Sequence, residues 1–245
     1  MHLEAWQWLW VALGAFAVGM AKTGISGLGM LAVAIFANLL PTKESSGFVL
    51  PLLIFGDLVA VTAYRKHTQW RHVARLFPGT AIGVVAGYLA MGRISDAQAS
   101  VIIGAIITGM VAIQLWRRWR AKDLNPEALG YGFAAVMGVL AGFTTLIANA
   151  AGPLMALYLL AMRLPKMEYV GTAAMFFLLL NVFKVPFMMD LGLINASSLS
   201  TNVILAPVVV LGALAGRWVL RFINQKLFEN LALAVSALAG LKLLF

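Results

Sequence analysis

The sequence predicts an all-α polytopic membrane protein. Hydrophobic residues make up 62% of the 245 residues and charged residues only 11%, with a mean hydropathy of +0.92. An ordinary soluble domain is roughly half apolar and about a quarter charged. The chain also divides into many apolar runs separated by short polar stretches, as in helices that cross a bilayer repeatedly. These observations exclude a water-soluble globular fold.

The apolar runs lie approximately at 5–21, 25–40, 46–64, 76–92, 98–116, 129–147, 150–162, 169–189, 198–216 and 228–245. A helix needs ~20 residues to cross a hydrocarbon core of ~30 Å. The runs 25–40 and 150–162 are too short for that length, so we expect half-helices or re-entrant pieces there. The sequence therefore predicts about eight to ten membrane spans.

Composition also restricts the chemistry. The chain has no cysteine, which excludes disulfides, thiolate catalysis and thiolate metal ligands. No two of its three histidines are one helical turn apart within a span, so we predict no metal site and no cofactor. The first residues, MHLEAW, lack the basic region and cleavage site of a signal peptide, so we expect them to be retained.

The distribution of basic residues predicts the orientation in the membrane. If the segments alternate, one side receives Lys22, Arg65, Lys66, Arg71, Arg75, Arg117, Arg118, Arg120, Lys122, Arg163, Lys166, Arg217, Arg221 and Lys226. The other side receives Lys43, Arg93 and Lys242, and Lys184 falls inside a segment. Cytoplasmic loops carry the excess of Lys and Arg, so we expect both termini outside the cytoplasm. The net charge of +9 then reflects topology and not nucleic-acid binding.

The stretch KTGISGLGM, residues 22–30, interrupts two apolar runs with polar residues and glycines. An unwound segment at membrane depth must be packed in protein or line a cavity, and the half-helix that follows it presents free N–H groups. We therefore predict an anion site at Lys22, Thr23, Gly24, Ser26 and Gly27. The alternative is close helix packing through the glycines, with Lys22 reaching a lipid headgroup.

An internal repeat predicts a second break. Pro41, Glu44 and Gly47 recur as Pro165, Glu168 and Gly171, and Pro78, Gly83 and Gly87 recur as Pro207, Gly212 and Gly216, each set with unchanged spacing. Each half, 1–122 and 123–245, holds five segments. Because five is odd, the halves form inverted-topology repeats within one membrane domain, with the broken or re-entrant helices near the midplane.

The partner of the first break is then GFTTLIANAAGP, residues 142–153. We expect Thr144, Thr145 and Asn149 to bind the same substrate as the first break. Asn149 is also a candidate N-cap for the short segment that follows.

Three polar residues lie inside apolar segments. Asp57 is in the middle of the third segment, and an offset of 124 residues relates it to Asn181; Lys184 follows one helical turn later. Ionisable groups in a membrane usually mark a pathway or a partner. We predict that Asp57, Asn181 and Lys184 act in coupling or gating, the alternative being that Asp57 pairs structurally with Lys22 or Lys184.

The glycine-containing break, the LPTKESSG stretch and the repeated Pro-x-x-Glu pattern with GTAAMFFLLLN resemble the TauE/SafE family of sulfite-exporter-type membrane proteins. The resemblance covers nearly the whole chain, although the patch of Gly24, Gly27 and Gly29 is sparser than in many members. It implies transport of small anions, often sulfur oxyanions or organosulfonates, across the bacterial plasma membrane.

The sequence thus predicts a secondary transporter of a small anion, sulfite-like or sulfoacetate-like, that works by alternating access between the two breaks. Its partners would be the anion, a coupling proton or sodium ion, and membrane lipids. Alternatives are an intramembrane enzyme, and a passive channel or lipid-interacting protein. An enzyme would need an acid-base pair or nucleophile within the bilayer, and Asp57 is the one buried acid candidate.

Overall fold

A computed structural model describes residues 5–23, 29, 32, 35–36, 39, 42–120 and 130–244. In these parts the chain forms nine helices: α1 (Ala5–Thr23), α2 (Thr42–Tyr64), α3 (Trp70–Met91), α4 (Asp96–Arg120), α5 (Gly130–Ala148), α6 (Ala151–Ala161), α7 (Lys166–Asp190), α8 (Ala196–Phe222) and α9 (Gln225–Leu244). None of the described residues is in a strand. The predicted all-α fold is confirmed for this part of the chain.

Several helices have the length and composition of membrane spans. Among the described residues, five stretches are long and apolar enough to cross a bilayer: Glu44–His67, Trp70–Met91, Gly130–Ala148, Lys166–Asp190 and Ser198–Leu220. Helix α6 has only 11 residues, or about 16 Å at 1.5 Å per residue. It lies where the sequence contains a short apolar run and cannot cross a core of ~30 Å.

Helix α1 ends at Thr23, within the stretch where the sequence predicts the first break. Residues 24–28 lie outside the described residues, so the break and the roles of Gly24, Ser26 and Gly27 stay predictions. Lys22 is in the last turn of α1, where a cation interacts favourably with the helix dipole.

The helices pack in pairs. Helix α1 lies along α8, α3 along α5, and α4 along α9, while α2 contacts both α7 and α8. The closest approaches occur at glycines. A Cβ on Gly83 would meet the carbonyl oxygen of Val139, and one on Gly212 would meet the carbonyl oxygen of Phe16. These glycines allow the backbones of α3 and α5, and of α8 and α1, to come together.

This packing predicts different effects for two glycine-to-alanine substitutions. Gly212→Ala forces α8 away from α1, and overpacking typically costs about 1–3 kcal/mol. A Cβ on Gly109, in α4, would have no atom within 4 Å, so Gly109→Ala should be neutral or stabilising by up to ~1 kcal/mol through helix propensity. Unfolding in mixed micelles measures both. Equal stabilities for the two variants would contradict the close α1–α8 contact.

Candidate functional site

An ion pair joins the end of α1 to the middle of α2. The Nζ of Lys22 is 2.8 Å from Oδ1 of Asp57, whose side chain is 0% exposed. The side-chain amide of Asn181, in α7, donates to the other carboxylate oxygen at 2.6 Å. One oxygen of the buried carboxylate is thus ion-paired and the other is hydrogen-bonded, which offsets the cost of burying the charge.

The neighbourhood accommodates the Lys22 side chain. Gly56 precedes Asp57, and a Cβ on it would lie 3.0 Å from Cγ of Lys22. The Lys22 ammonium also lies 4.4 Å from the ring centroid of Phe177, a distance at which the ring face attracts a cation. The side chain retains 11% exposure, so Lys22 is both ion-paired and accessible.

A second buried lysine has no carboxylate partner among the described residues. Lys184, in α7, is 0% exposed. Its Nζ donates to the Thr145 carbonyl at 2.8 Å, to the Thr145 hydroxyl at 3.3 Å and to Oδ1 of Asn149 at 2.6 Å. Three acceptors match the three N–H donors of an ammonium. The Thr145 carbonyl is in the last turn of α5, where the helix dipole is negative.

Asn149 ends α5. Its φ of 52° is left-handed, and its N–H donates to the Thr145 carbonyl at 3.0 Å, which together form an αL C-cap. Its side-chain amide donates to the carbonyl and the hydroxyl oxygen of Ser46 at 3.0 and 3.2 Å. Asn149 thereby connects α5 to the first turns of α2 and positions an acceptor for Lys184.

The prediction that Asn149 is the N-cap of α6 is wrong. The N-cap is Ala150, which makes no side-chain cap hydrogen bond. Asn149 cannot take that role because its side chain is turned towards Ser46 and Lys184.

The structure places the two remaining threonines away from these contacts. The Thr23 hydroxyl donates to the Ala213 carbonyl of α8 at 2.6 Å. The Thr144 hydroxyl donates to the Leu140 carbonyl within α5 at 2.8 Å. Both side chains are buried, and both hydroxyls donate to backbone carbonyls, that of Thr23 between helices and that of Thr144 within its own helix.

A cavity of about 80 Å³ lies beside the ion pair. Its polar wall comprises Lys22, Thr145, Asn149 and Asn181. Gly152 and Pro153, in the first turn of α6, also line it. A water molecule needs roughly 10–15 Å³ of such space, so a small ion of a few heavy atoms fits. Asp57 and Lys184 lie behind the wall and are not among its lining residues.

The rest of the lining is mostly apolar, and except for Gly29 sequence reasoning missed it. It consists of Val18, Ala21, Gly29, Leu53, Met155, Ala156, Val170, Ala173, Ala174 and Phe177, together with Tyr169, which carries a polar hydroxyl. Val170, Ala173, Ala174 and Phe177 follow the spacing of one helix face, which continues to Asn181. From this spacing, these four residues could have been predicted to lie on the same face of α7 as Asn181. An apolar helix face, however, usually indicates packing in the core.

A cation and backbone donors face the cavity. Lys22 lines the cavity and, although it is paired with Asp57, keeps 11% of its side chain exposed. The first N–H groups of α6 have no partner within their own helix, because an α-helix leaves its first four donors unbonded. The arrangement is therefore suited to an anion. The described residues contain no group of three or more acidic, histidine or cysteine side chains that could hold a metal ion.

Comparisons with known proteins identify the family. The family model described as Sulfite exporter TauE/SafE matches residues 11–243. Comparisons with curated proteins and with solved structures found no match. Because the match covers nearly the whole chain, this protein belongs to the TauE/SafE family of sulfite-exporter-type membrane transporters.

Proposed function

We propose that this protein is a secondary transporter of a small anion and that the anion binds in the cavity beside Lys22. The observation that carries this proposal is the lining of the cavity: the accessible Lys22 ammonium and the first turn of α6, at Gly152 and Pro153, face the same small space. Inside an apolar protein, a charge attracts an opposite one far more strongly than it does in water. An anion in the cavity would be attracted to Lys22 and to the N-terminus of α6.

The cavity wall supplies donors for an oxyanion. A lysine ammonium has three N–H groups, so Lys22 can hold the anion while it remains paired with Asp57. The Thr145 hydroxyl oxygen accepts from Lys184, which leaves its hydrogen to donate. The first turn of α6 adds backbone N–H groups at Gly152. Asn149 has both amide hydrogens directed at Ser46, so its role is to position Lys184.

Alternating access is supported by the way the helices pair. In the inverted repeat, α1 corresponds to α5 and α3 corresponds to α8. The contact between α1 and α8 therefore corresponds to the contact between α5 and α3, and both pairs of helices pack closely. The repeat also relates Gly83 to Gly212. Gly83 of α3 lies against the Val139 carbonyl of α5, and Gly212 of α8 lies against the Phe16 carbonyl of α1. This supports the repeat halves 1–122 and 123–245.

The hydrogen bond between Asn181 and Asp57 supports a pseudo-two-fold axis through the site. The repeat relates these two residues to each other, and they are in direct contact at 2.6 Å. Two corresponding residues can meet only near the axis that relates them. A coupling proton or sodium ion would act through Asp57 at this point, where the two halves move against each other.

Removal of the Lys22 charge should abolish anion binding. We expect sulfite, sulfate or a small sulfonate to raise the melting temperature of the purified protein, because a ligand at a hundredfold excess over Kd adds ~2.7 kcal/mol to stability. Lys22→Gln should lose this shift, since it removes the accessible cation of the site. Differential scanning fluorimetry in detergent measures the effect.

The matched control is Lys226→Gln, which removes the same charge from an exposed position in α9. This variant should retain the full shift. An equal response of the two variants would show that the anion binds elsewhere or through overall charge, and absence of any shift in the wild type would contradict the anion site itself.

We further propose that both termini face the outside of a bacterial plasma membrane. Lys66 follows α2 and Arg93 follows α3; both are exposed and lie at opposite ends of α3. The positive-inside rule puts Lys66 in the cytoplasm and Arg93 outside.

Single-cysteine labelling tests this orientation on a background without cysteine. In spheroplasts, a membrane-impermeant maleimide should label Arg93→Cys and should label Lys66→Cys only after lysis. The reverse pattern would invert the proposed topology.

A further inference from the structure

We infer that the end of α8 carries a binding site for one anionic phospholipid, with the lipid phosphate held between Arg217 and Arg221. The site is separate from the cavity, because no residue of α8 is among the described residues that line the cavity. The inference therefore does not depend on which anion the protein transports. It combines two cations without an acidic partner, an exposed aromatic pair and the end of a membrane span.

The two arginines form a pair of positive charges. Arg217 and Arg221 are four residues apart in α8, a spacing that puts two side chains on the same helix face with Cβ atoms ~6 Å apart. Both side chains are exposed, and neither forms an ion pair with an acid in the part of the chain that the structure describes. Arginine keeps its charge in proteins. The pair can therefore bind an anion from outside the protein.

The arginines are not needed to cap α8. A basic side chain near the end of a helix often serves its last carbonyl groups. Here Lys166 has that role, because its Nζ donates to the Leu220 carbonyl at 3.0 Å and to the Ile223 carbonyl at 2.5 Å. The positive charges of Arg217 and Arg221 thus remain available for another partner.

An exposed aromatic pair lies beside the arginines. The rings of Trp218 and Phe222 are 4.9 Å apart between centroids, at 69° to each other, and Leu214 is exposed one turn before Trp218. The membrane-span stretch Ser198–Leu220 ends between the two aromatic residues. Exposed tryptophan at the end of a span lies at the level of the lipid headgroups. Arg217 and Arg221 therefore lie at headgroup level, and Leu214 lies deeper, among the acyl chains.

An anionic phospholipid complements this surface in charge and in shape. The planar guanidinium group binds phosphate through two parallel N–H donors. An acyl chain of the same lipid can pack along Trp218 and Leu214. A zwitterionic lipid carries an ammonium group next to its phosphate and would bring a third positive charge to the two arginines. The site therefore favours anionic headgroups, which the proposed topology places in the cytoplasmic leaflet.

Native mass spectrometry of the detergent-purified full chain tests the site with phosphatidylglycerol and phosphatidylcholine of identical acyl chains. The wild-type protein should retain one phosphatidylglycerol with a Kd lower by about tenfold or more than that of phosphatidylcholine. The double variant Arg217→Gln/Arg221→Gln should lose this preference, because it removes both cations. Equal affinity of the wild type for the two lipids would overturn the inference.

The matched control is Lys66→Gln/Arg93→Gln, which also removes two exposed positive charges, at opposite ends of α3. This variant should retain the full preference for phosphatidylglycerol. An equal loss in both double variants would show that the lipid responds to the net charge of the protein and not to a site on α8.

A variant that conserves charge tests the geometry of the contact. Arg217→Lys/Arg221→Lys should weaken phosphatidylglycerol binding several-fold, because an ammonium contacts phosphate as a point charge and lacks the planar fork. Binding as tight as that of the wild type would contradict a contact through the guanidinium groups.

Two other occupants of this surface give different results. Inorganic phosphate at the concentration of the lipid should not displace it, because free phosphate gains nothing from Trp218 and Leu214; displacement would assign the arginines to a soluble phosphate. A dimer that becomes monomeric in Trp218→Ala would assign this face to a second copy of the chain. Either result would overturn the lipid site.

Discussion

The ion pair between Lys22 and Asp57 is the interaction on which the rest of the site depends. A carboxylate buried in the middle of α2 requires a cation, and loss of one partner from such a pair typically costs about 3–5 kcal/mol. Lys22 meets this requirement from the last turn of α1, which holds the end of α1 beside the centre of α2. Asn181 occupies the remaining carboxylate oxygen and brings in α7. The cavity lies where these three helices meet.

The second buried cation is stabilised without a carboxylate. Lys184 is held by oxygens at the C-terminal end of α5, and Asn149 completes its shell because the left-handed conformation that ends α5 turns the side chain towards it. The backbone and amide oxygens thus satisfy the hydrogen-bonding capacity of Lys184. Asn149 also donates to Ser46 of α2, so the same contacts hold the end of α5 beside the cavity.

The fold class, the family and the neighbourhood of the site could be predicted from the sequence, because polar residues stand out in apolar runs. Asp57, Asn181 and Lys184 were found in this way, and the alternative of an Asp57–Lys22 pair is what the structure contains. Other features of the site depend on how each helix is rotated about its own axis and on contacts between residues that are far apart in the sequence. Sequence patterns do not determine either of these. The contact between Ser46 and Asn149 joins residues 103 positions apart, and the cavity face of α7 resembles ordinary core in sequence.

The central claim is that an anion binds between Lys22 and the first turn of α6, and the most direct measurement is a crystal structure with bromomethanesulfonate at the bromine absorption edge. The account predicts an anomalous bromine peak inside the cavity, with sulfonate oxygens within hydrogen-bond distance of Lys22 Nζ. A peak found only outside the cavity, or sulfonate oxygens away from Lys22, would contradict it.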